Sequence, residues 1–235
     1  VGRFDCALSL AAVGTAGMIV GLLNGFLMGF VNGGSIIVAQ YFGASDGKNL
    51  EKSIHTTYAL SIIIGAILCV LGLVLSPALL TATHVPADIY DQTLLYTRIF
   101  FCGSIPNSIY CFSAGILRAE GDSRNPLLFL VVSGMINVIL NLILVIGARM
   151  SVAGVAIATI VSQAVSAVLA TVALLRADGV CRLSFRHLQL NPMIVKRILQ
   201  LGIPASIQST MFSVSNICIQ ASINQFGSTM IAGCT

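Results

Sequence analysis

Long uncharged apolar runs alternate with short polar turns along this chain. Between Ile99 and Leu117 no residue carries a formal charge. Arg118, Glu120, Asp122 and Arg124 then follow within seven positions, and Pro126 opens a second uncharged run to Ala148. Such runs are long enough to cross a hydrocarbon core of about 30 Å at about 1.5 Å per helical residue. Proline suits the first turn of a helix, where its missing N–H has no partner to lose, and Gly121 lets the chain reverse. The stretch 114–141 therefore predicts a helical hairpin in a bilayer, with its polar tip at the surface.

The same alternation continues on both sides. Ala7–Phe42 is apolar and glycine-rich, and Gly43–Ser53 is a charged turn. Ile54–Ser76 is a second span with few polar features, expected to face lipid. Pro77–Asp91 reads as a longer loop. Ile99–Leu117 is the third span, interrupted by Pro106 beside Ser104, Asn107 and Ser108. Proline here frees a carbonyl, which fits a bend lining a cavity or a plain structural kink. Leu127–Gly147 and Val152–Leu175 follow, joined by a short turn, so they must be antiparallel neighbours. A polar connector then leads to a sixth run from Leu201. The expected class is all-α: a polytopic membrane bundle of about six transmembrane helices.

Within these spans the polar positions keep helical spacing. Gly17, Gly21, Gly25, Gly29 and Gly33 fall four apart, a pattern that admits another helix closely. Asn24 and Asn32 lie two turns apart on a neighbouring face. Ser133, Asn137 and Asn141 form one stripe, and Thr159, Ser162, Gln163 and Ser166 another on the adjoining helix. Gln208, Asn216 and Gln220 share a face of the last run. Buried amides need partners or water, so these stripes are expected to face inward. Interhelical amide bonds of about 0.6–2 kcal/mol each would explain them; a hydrated site would explain them equally.

Composition strengthens the membrane reading. Of 235 residues 57% are hydrophobic and only 9% charged, with mean hydropathy +0.97, against about 25% charged in a soluble domain. The alternating strands of a β-barrel are absent from the pattern. The seven cysteines are scattered without a C-x-x-C, and His55, His84 and His187 lie far apart, so neither a metal site nor a disulfide frame is expected. A net charge of +4 suits basic cytoplasmic loops and gives no reason to expect a nucleic acid. Nine basic residues (Lys48, Lys52, Arg118, Arg124, Arg176, Arg182, Arg186, Lys196 and Arg197) fall on one side of the six spans; Arg3, Arg98 and Arg149 fall on the other. The positive-inside rule places the nine in the cytoplasm. With no initiator Met and no signal peptide, the chain is expected to be a piece of a longer protein.

AGILRAEGDSRNPLLFLVVSGMINVILNLILVI followed by SVAGVAIATIVSQ resembles the multidrug and toxic compound extrusion (MATE) family. The shared features are an arginine–alanine–x–glycine–aspartate turn, an Asn-bearing helix after it, and a glycine–alanine–threonine helix. GGSIIVAQYFGASD and LGIPASIQSTMFSVSN resemble the end of that family's helix two and the start of its helix seven. The resemblance implies twelve helices in two pseudo-symmetric six-helix bundles. Residues 1–175 would hold most of the N-terminal bundle (helices two to six), 176–198 a cytoplasmic linker, and 199–235 the start of the second bundle (helix seven). It also implies a secondary active exporter in the cell inner (plasma) membrane, antiporting cationic or amphipathic compounds out of the cytoplasm against H⁺ or Na⁺. No cofactor is expected beyond the coupling ion, and no partners beyond small-molecule substrates and membrane lipid; a monomer is expected.

Residue by residue, Asn137 matches the asparagine of one branch's cation-coupling site and Thr159 matches its threonine, while Asn141 stands where that branch has an aspartate. Another branch's helix-seven glutamate falls on Phe212. The expected cavity-lining residues are Asn24, Asn32, Asn107, Ser133, Gln163, Gln208, Asn216 and Gln220. No spanning segment carries an acid, so a titrating group for proton coupling must lie elsewhere. A lipid-linked oligosaccharide flippase of the same superfamily is one alternative; it needs a cationic cavity lining, and here the cations sit in loops. A non-transporting membrane subunit is another. A membrane enzyme would need paired carboxylates, H-E-x-x-H or G-x-S-x-G in a span, and the sequence has none.

Overall fold

The computed structural model describes residues 7–82, 87–147, 150–177 and 179–224, with side chains between 16 and 215 except at a few positions. Among the described residues there are seven α-helices and no strand: α1 (Ala7–Gly43), α2 (Gly47–Ala82), α3 (Ala87–Cys102), α4 (Ser104–Ala119), α5 (Arg124–Asn141), α6 (Ser151–Arg176) and α7 (Pro192–Asn224). A π-helical turn, Leu142–Gly147, prolongs α5. Val20–Gly43, Gly47–Ala78, Arg124–Gly147 and Val152–Arg176 are each long and apolar enough to cross a membrane. Tyr90–Cys102 and Ser104–Ala119, bent by 49° at Gly103, pass the same test only as a pair, the pattern of a broken span or a re-entrant loop. The sixth predicted run is helical in α7, but its polar residues keep it less apolar than the others.

Side chains and glycine define the turns at one end. After α4, Gly121 adopts φ 94°; its N–H bonds Arg118 O (3.1 Å) while Asp122 N–H reaches Leu117 O (2.9 Å), the paired closure that a left-handed glycine makes at a helix end. Asp122 then caps α5. Its Oδ1 accepts from the N–H groups of Arg124 and Asn125 (both 3.1 Å), and Asn125 Nδ2 donates to its Oδ2 (2.6 Å). The α1–α2 turn repeats this device with Asp46 and Asn49: Asn49 N–H to Oδ1 at 3.2 Å and Nδ2 to Oδ2 at 2.6 Å. Both turns read Asp–small–basic–Asn, and side-chain oxygens satisfy the orphan N–H groups of each new helix.

Three boundaries differ from the sequence reading. The expected loop 77–91 is largely helical: α2 runs through Pro77 to Ala82, and α3 begins at Ala87. Pro77 cannot donate to Leu73 O four residues earlier, but Ser76 Oγ donates to that carbonyl at 3.1 Å. Arg98, expected in that outer loop region, is an exposed residue of α3. The third span breaks at Gly103, so Pro106 falls in the first turn of α4, where it displaces no helical bond. The polar connector ends at Asn191 because its Oδ1 accepts from Met193 N–H (3.0 Å) and caps α7, which starts at Pro192.

α4 is the central helix, packed on by α1, α2 and α6. Phe112, Ile116 and Leu117 on it are buried against Val31 and Ile37 of α1, Ile54, Tyr58 and Ile64 of α2, and Leu174 of α6. α2 does not simply face lipid as expected: one side, from Ile54 through Ser61 and Ile64 to Leu68, is buried, while Ile63, Ile67, Val70 and Val74 remain exposed. α5 is peripheral. It packs chiefly on α6 and leaves Leu127, Leu130, Val131, Met135, Val138 and Ile139 exposed.

Candidate functional site

The polar residues marked by spacing gather in three places. The first is the seam between α5 and α6. Asn137 Nδ2 donates to Ser162 Oγ (3.2 Å), and Asn141 Nδ2 donates to Asn137 Oδ1 (2.9 Å). Ser162 Oγ donates in turn to the carbonyl of Thr159 (2.8 Å), and Thr159 Oγ1 to Val155 O (2.9 Å). The two predicted stripes therefore meet each other in one relay. It ends on an unspent acceptor: Asn141 Oδ1 is buried and has no partner among the described residues. Immediately after Asn141 the helix widens into the π turn Leu142–Gly147. Such turns interrupt the regular i→i−4 ladder and recur at functional sites. Ser133, one turn before Asn137, is buried but bonds only Leu130 O of its own helix (3.1 Å).

The second place lies between α1, α4 and α6. Asn107 Nδ2 donates to Asn24 Oδ1 across the two helices at 3.1 Å. Asn107 N–H bonds Gly103 O (3.1 Å), which puts this pair one turn from the break between α3 and α4. Gln163 of α6 reaches the same break: its Oε1 lies 3.3 Å from where a Cβ on Gly103 would stand, and it is buried without a partner among the described residues. Asn32, expected with these residues, is exposed instead.

The third place is the α1–α7 crossing. The small-residue face of α1 continues to it as expected, but only in part. A Cβ on Gly25 would stand 3.2 Å from Ser213 Oγ, one on Gly29 would overlap the backbone of Ser206, and one on Gly33 would lie 2.9 Å from Gly202 N. Gly17 and Gly21 meet nothing within 4 Å among the described residues. Beside Gly25 there is a cleft of about 550 Å³ lined by Met28, Gln208, Ser209, Met211, Phe212, Ser213 and Ser215. Gln208 lines this cleft. Asn216 and Gln220 lie further along α7, and their side chains fall outside the described residues.

The sequence reading missed two further features. His55 is clamped at both nitrogens: Nδ1 lies 2.7 Å from Glu51 O and Nε2 accepts Ser184 N–H at 2.9 Å. Next to it Thr56 Oγ1 donates to Gln189 O (3.1 Å), so consecutive residues of α2 hold the connector down. The other is Glu120. Burial first, then the charge of Asp122, push its carboxyl up to about 7, opposed by a hydrogen bond from Cys181. Nothing in local spacing marks either contact, because both partners come from the connector. Among the described residues no group of three His, Cys, Asp or Glu side chains could hold a metal ion.

The MatE family model matches residues 1–143, from the glycine face of α1 through both asparagines of the α5–α6 seam. The chain belongs to the MatE family. The Bacillus subtilis (strain 168) protein named "Probable multidrug resistance protein YoeA" is 29% identical over 242 residues, covering 99% of this chain and 52% of that protein. "Multidrug export protein MepA" of Staphylococcus haemolyticus (strain JCSC1435) is 22% identical over 233 residues, 99% of this chain and 51% of the relative. Among solved structures, an inward-facing MATE family transporter of the MOP superfamily superposes with TM-score 0.81 at 25% identity, covering 88% of this chain and 47% of that one. A MATE structure in the bent conformation gives TM-score 0.84 at 24% identity, covering 90% of this chain and 48% of that one. This MatE chain is therefore an all-α, multi-pass membrane protein, and it spans about half the length of the curated relatives it matches.

Proposed function

We propose that the protein works as a secondary active exporter in the plasma membrane, antiporting cationic or amphipathic compounds out of the cytoplasm against H⁺ or Na⁺. The observation that carries this reading is the α5–α6 relay. Asn141 presents a buried amide oxygen with no protein donor among the described residues, beside a π turn that disturbs the carbonyl ladder. Irregular backbone at membrane depth is tolerated where it lines a cavity or an ion path. Amide and hydroxyl oxygens suit a small cation such as Na⁺, while neither Asn137 nor Asn141 can exchange a proton. Proton coupling would then draw on a carboxylate outside these residues, with the relay transmitting its state to α6. The α1–α7 cleft supplies the second requirement, a wall that mixes Met28, Met211 and Phe212 with the Gln208 amide and the hydroxyls of Ser209, Ser213 and Ser215, few enough fixed anchors to select loosely by size and charge.

The experiment is dye accumulation in a drug-sensitive bacterial host expressing the complete gene, at fixed membrane potential, with a proton and then a sodium gradient imposed. Loss of a fluorescent cationic dye under one gradient is the expected result and names the ion. No loss under either overturns the proposal.

A further inference from the structure

One cavity shares no lining residue with the three polar places. It is a groove of about 440 Å³ on the outer side of α4 and α6, walled by Pro106 and Ile109 on one helix, by Ala164, Val168 and Leu175 on the other, and closed at one end by Phe185 of the connector. Small residues on α6 leave it open to the side. Its polar edge is already spent, since Tyr58 OH and Thr171 Oγ1 bond each other at 3.1 Å, and the Tyr58 ring meets Phe185 edge-on at 6.1 Å. From Ala164 to Leu175 the α6 wall is about 16 Å long at about 1.5 Å per residue. That is the depth of one leaflet, half of a hydrocarbon core of about 30 Å.

The end closed by Phe185 is cationic. Arg182 is exposed and held by a hydrogen bond from Nε to Leu175 O (3.2 Å), the carbonyl of a groove residue, a bond that does not use its two terminal nitrogens. Arg186, also exposed, follows Phe185 directly. Basic residues concentrate at this end of the bundle, which marks it as cytoplasmic, and the cytoplasmic leaflet is the anionic one. Guanidinium groups bind phosphate through paired N–H donors.

We propose that the α4–α6 groove is a phospholipid site: it takes one acyl chain of an anionic lipid from the inner leaflet, whose phosphate is held by Arg182 and Arg186. A chain-deep apolar slot closed by Phe185, with Arg182 bonded to the carbonyl of its last α6 residue and Arg186 next to Phe185 in the chain, fits that chemistry and gives a zwitterionic lipid less to bind.

The test is thermal melting of the full-length protein in detergent, with native mass spectrometry of bound lipid. Phosphatidylglycerol, phosphatidylcholine with the same acyl chains, and water-soluble glycerol phosphate are added in turn. Phosphatidylglycerol is expected to raise Tm by about 3–5 °C and to stay bound as one retained copy; phosphatidylcholine does less and glycerol phosphate nothing. Arg182→Gln with Arg186→Gln brings phosphatidylglycerol down to the phosphatidylcholine level. Ala164→Leu, or Val168→Asn if that variant does not fold, removes retention of both lipids. Equal shifts with the two lipids, an unchanged phosphatidylglycerol shift in the double arginine variant, or a glycerol phosphate shift as large as the lipid's would each overturn the proposal.

Discussion

Ser206 of α7 lies directly against Gly29 of α1, and its hydroxyl donates to Phe26 O at 2.8 Å. Backbone meets backbone there, so no side-chain rotation can make room. A Cβ on Gly25 would meet the Ser213 hydroxyl at 3.2 Å instead, and a hydroxyl can turn aside. Gly29→Ala is therefore expected to cost about 1–3 kcal/mol by overpacking, and Gly29→Leu to abolish folded protein. Gly25→Ala should be nearly silent, although Gly25→Leu should still block the approach. Yield and melting temperature in detergent check the series; equal tolerance at 25 and 29 would place the contact elsewhere.

Asn137 links Asn141 to Ser162 by side-chain hydrogen bonds, the polar route between the unspent oxygen and α6. Asn137→Ala should reduce gradient-driven export by about fivefold or more while membrane insertion and yield hold. Ser162→Ala should give a milder loss in the same direction. Export at wild-type rate in the Asn137 variant would remove the relay from the coupling mechanism.

Glu120 gives a stability dependence on pH. Its carboxyl, raised by burial and then by Asp122 from 4.5 to about 7, holds its proton more firmly folded than unfolded. The native state thus binds more protons over that interval, and stability falls as pH rises through it. Stability should be full below about 4.5, decline to about 7, and stay flat above. Glu120→Gln should remove the decline and raise Tm at pH 8 by a few degrees, measured by melting across pH 4–8; a parallel decline in the variant would assign the effect to another group.

Ser76 answers the carbonyl that Pro77 leaves without an N–H. Ser76→Ala should cost about 1–2 kcal/mol, the range for a buried acceptor stripped of its partner. The same change in a Pro77→Ala background should cost much less, since the backbone N–H returns. A double-mutant cycle measured by unfolding reads the difference, and additive effects would show that Leu73 O is satisfied some other way.

Much of the fold was legible because membrane helices announce themselves locally. Charge-free runs and their bounding turns depend on composition over about twenty residues, and α1, α5 and α6 follow them. Pro77 misled for an equally local reason: proline reads as a breaker, and the compensating hydroxyl is one serine among many. The break fell at Gly103 rather than Pro106 because a proline in a first turn displaces nothing, and only the packed bundle shows where that turn begins. At the candidate site, the spacing of Ser133, Asn137 and Asn141 put them on one face of α5, yet it could not say that Asn137 would find Ser162 or that Asn141 would keep a free oxygen.

Hydropathy, period and short motifs were enough to establish a membrane bundle, the residues that share each helix face, and the family the chain resembles. Each of these is settled within a few turns of chain. The meeting of faces was not. Ser206 bonds Phe26 from 180 residues away, Ser184 finds His55, and a slot stays open between α4 and α6. Pairing of that kind depends on how shapes close against one another across the bundle, and a one-dimensional pattern of apolar and polar positions is the same for every way of closing them.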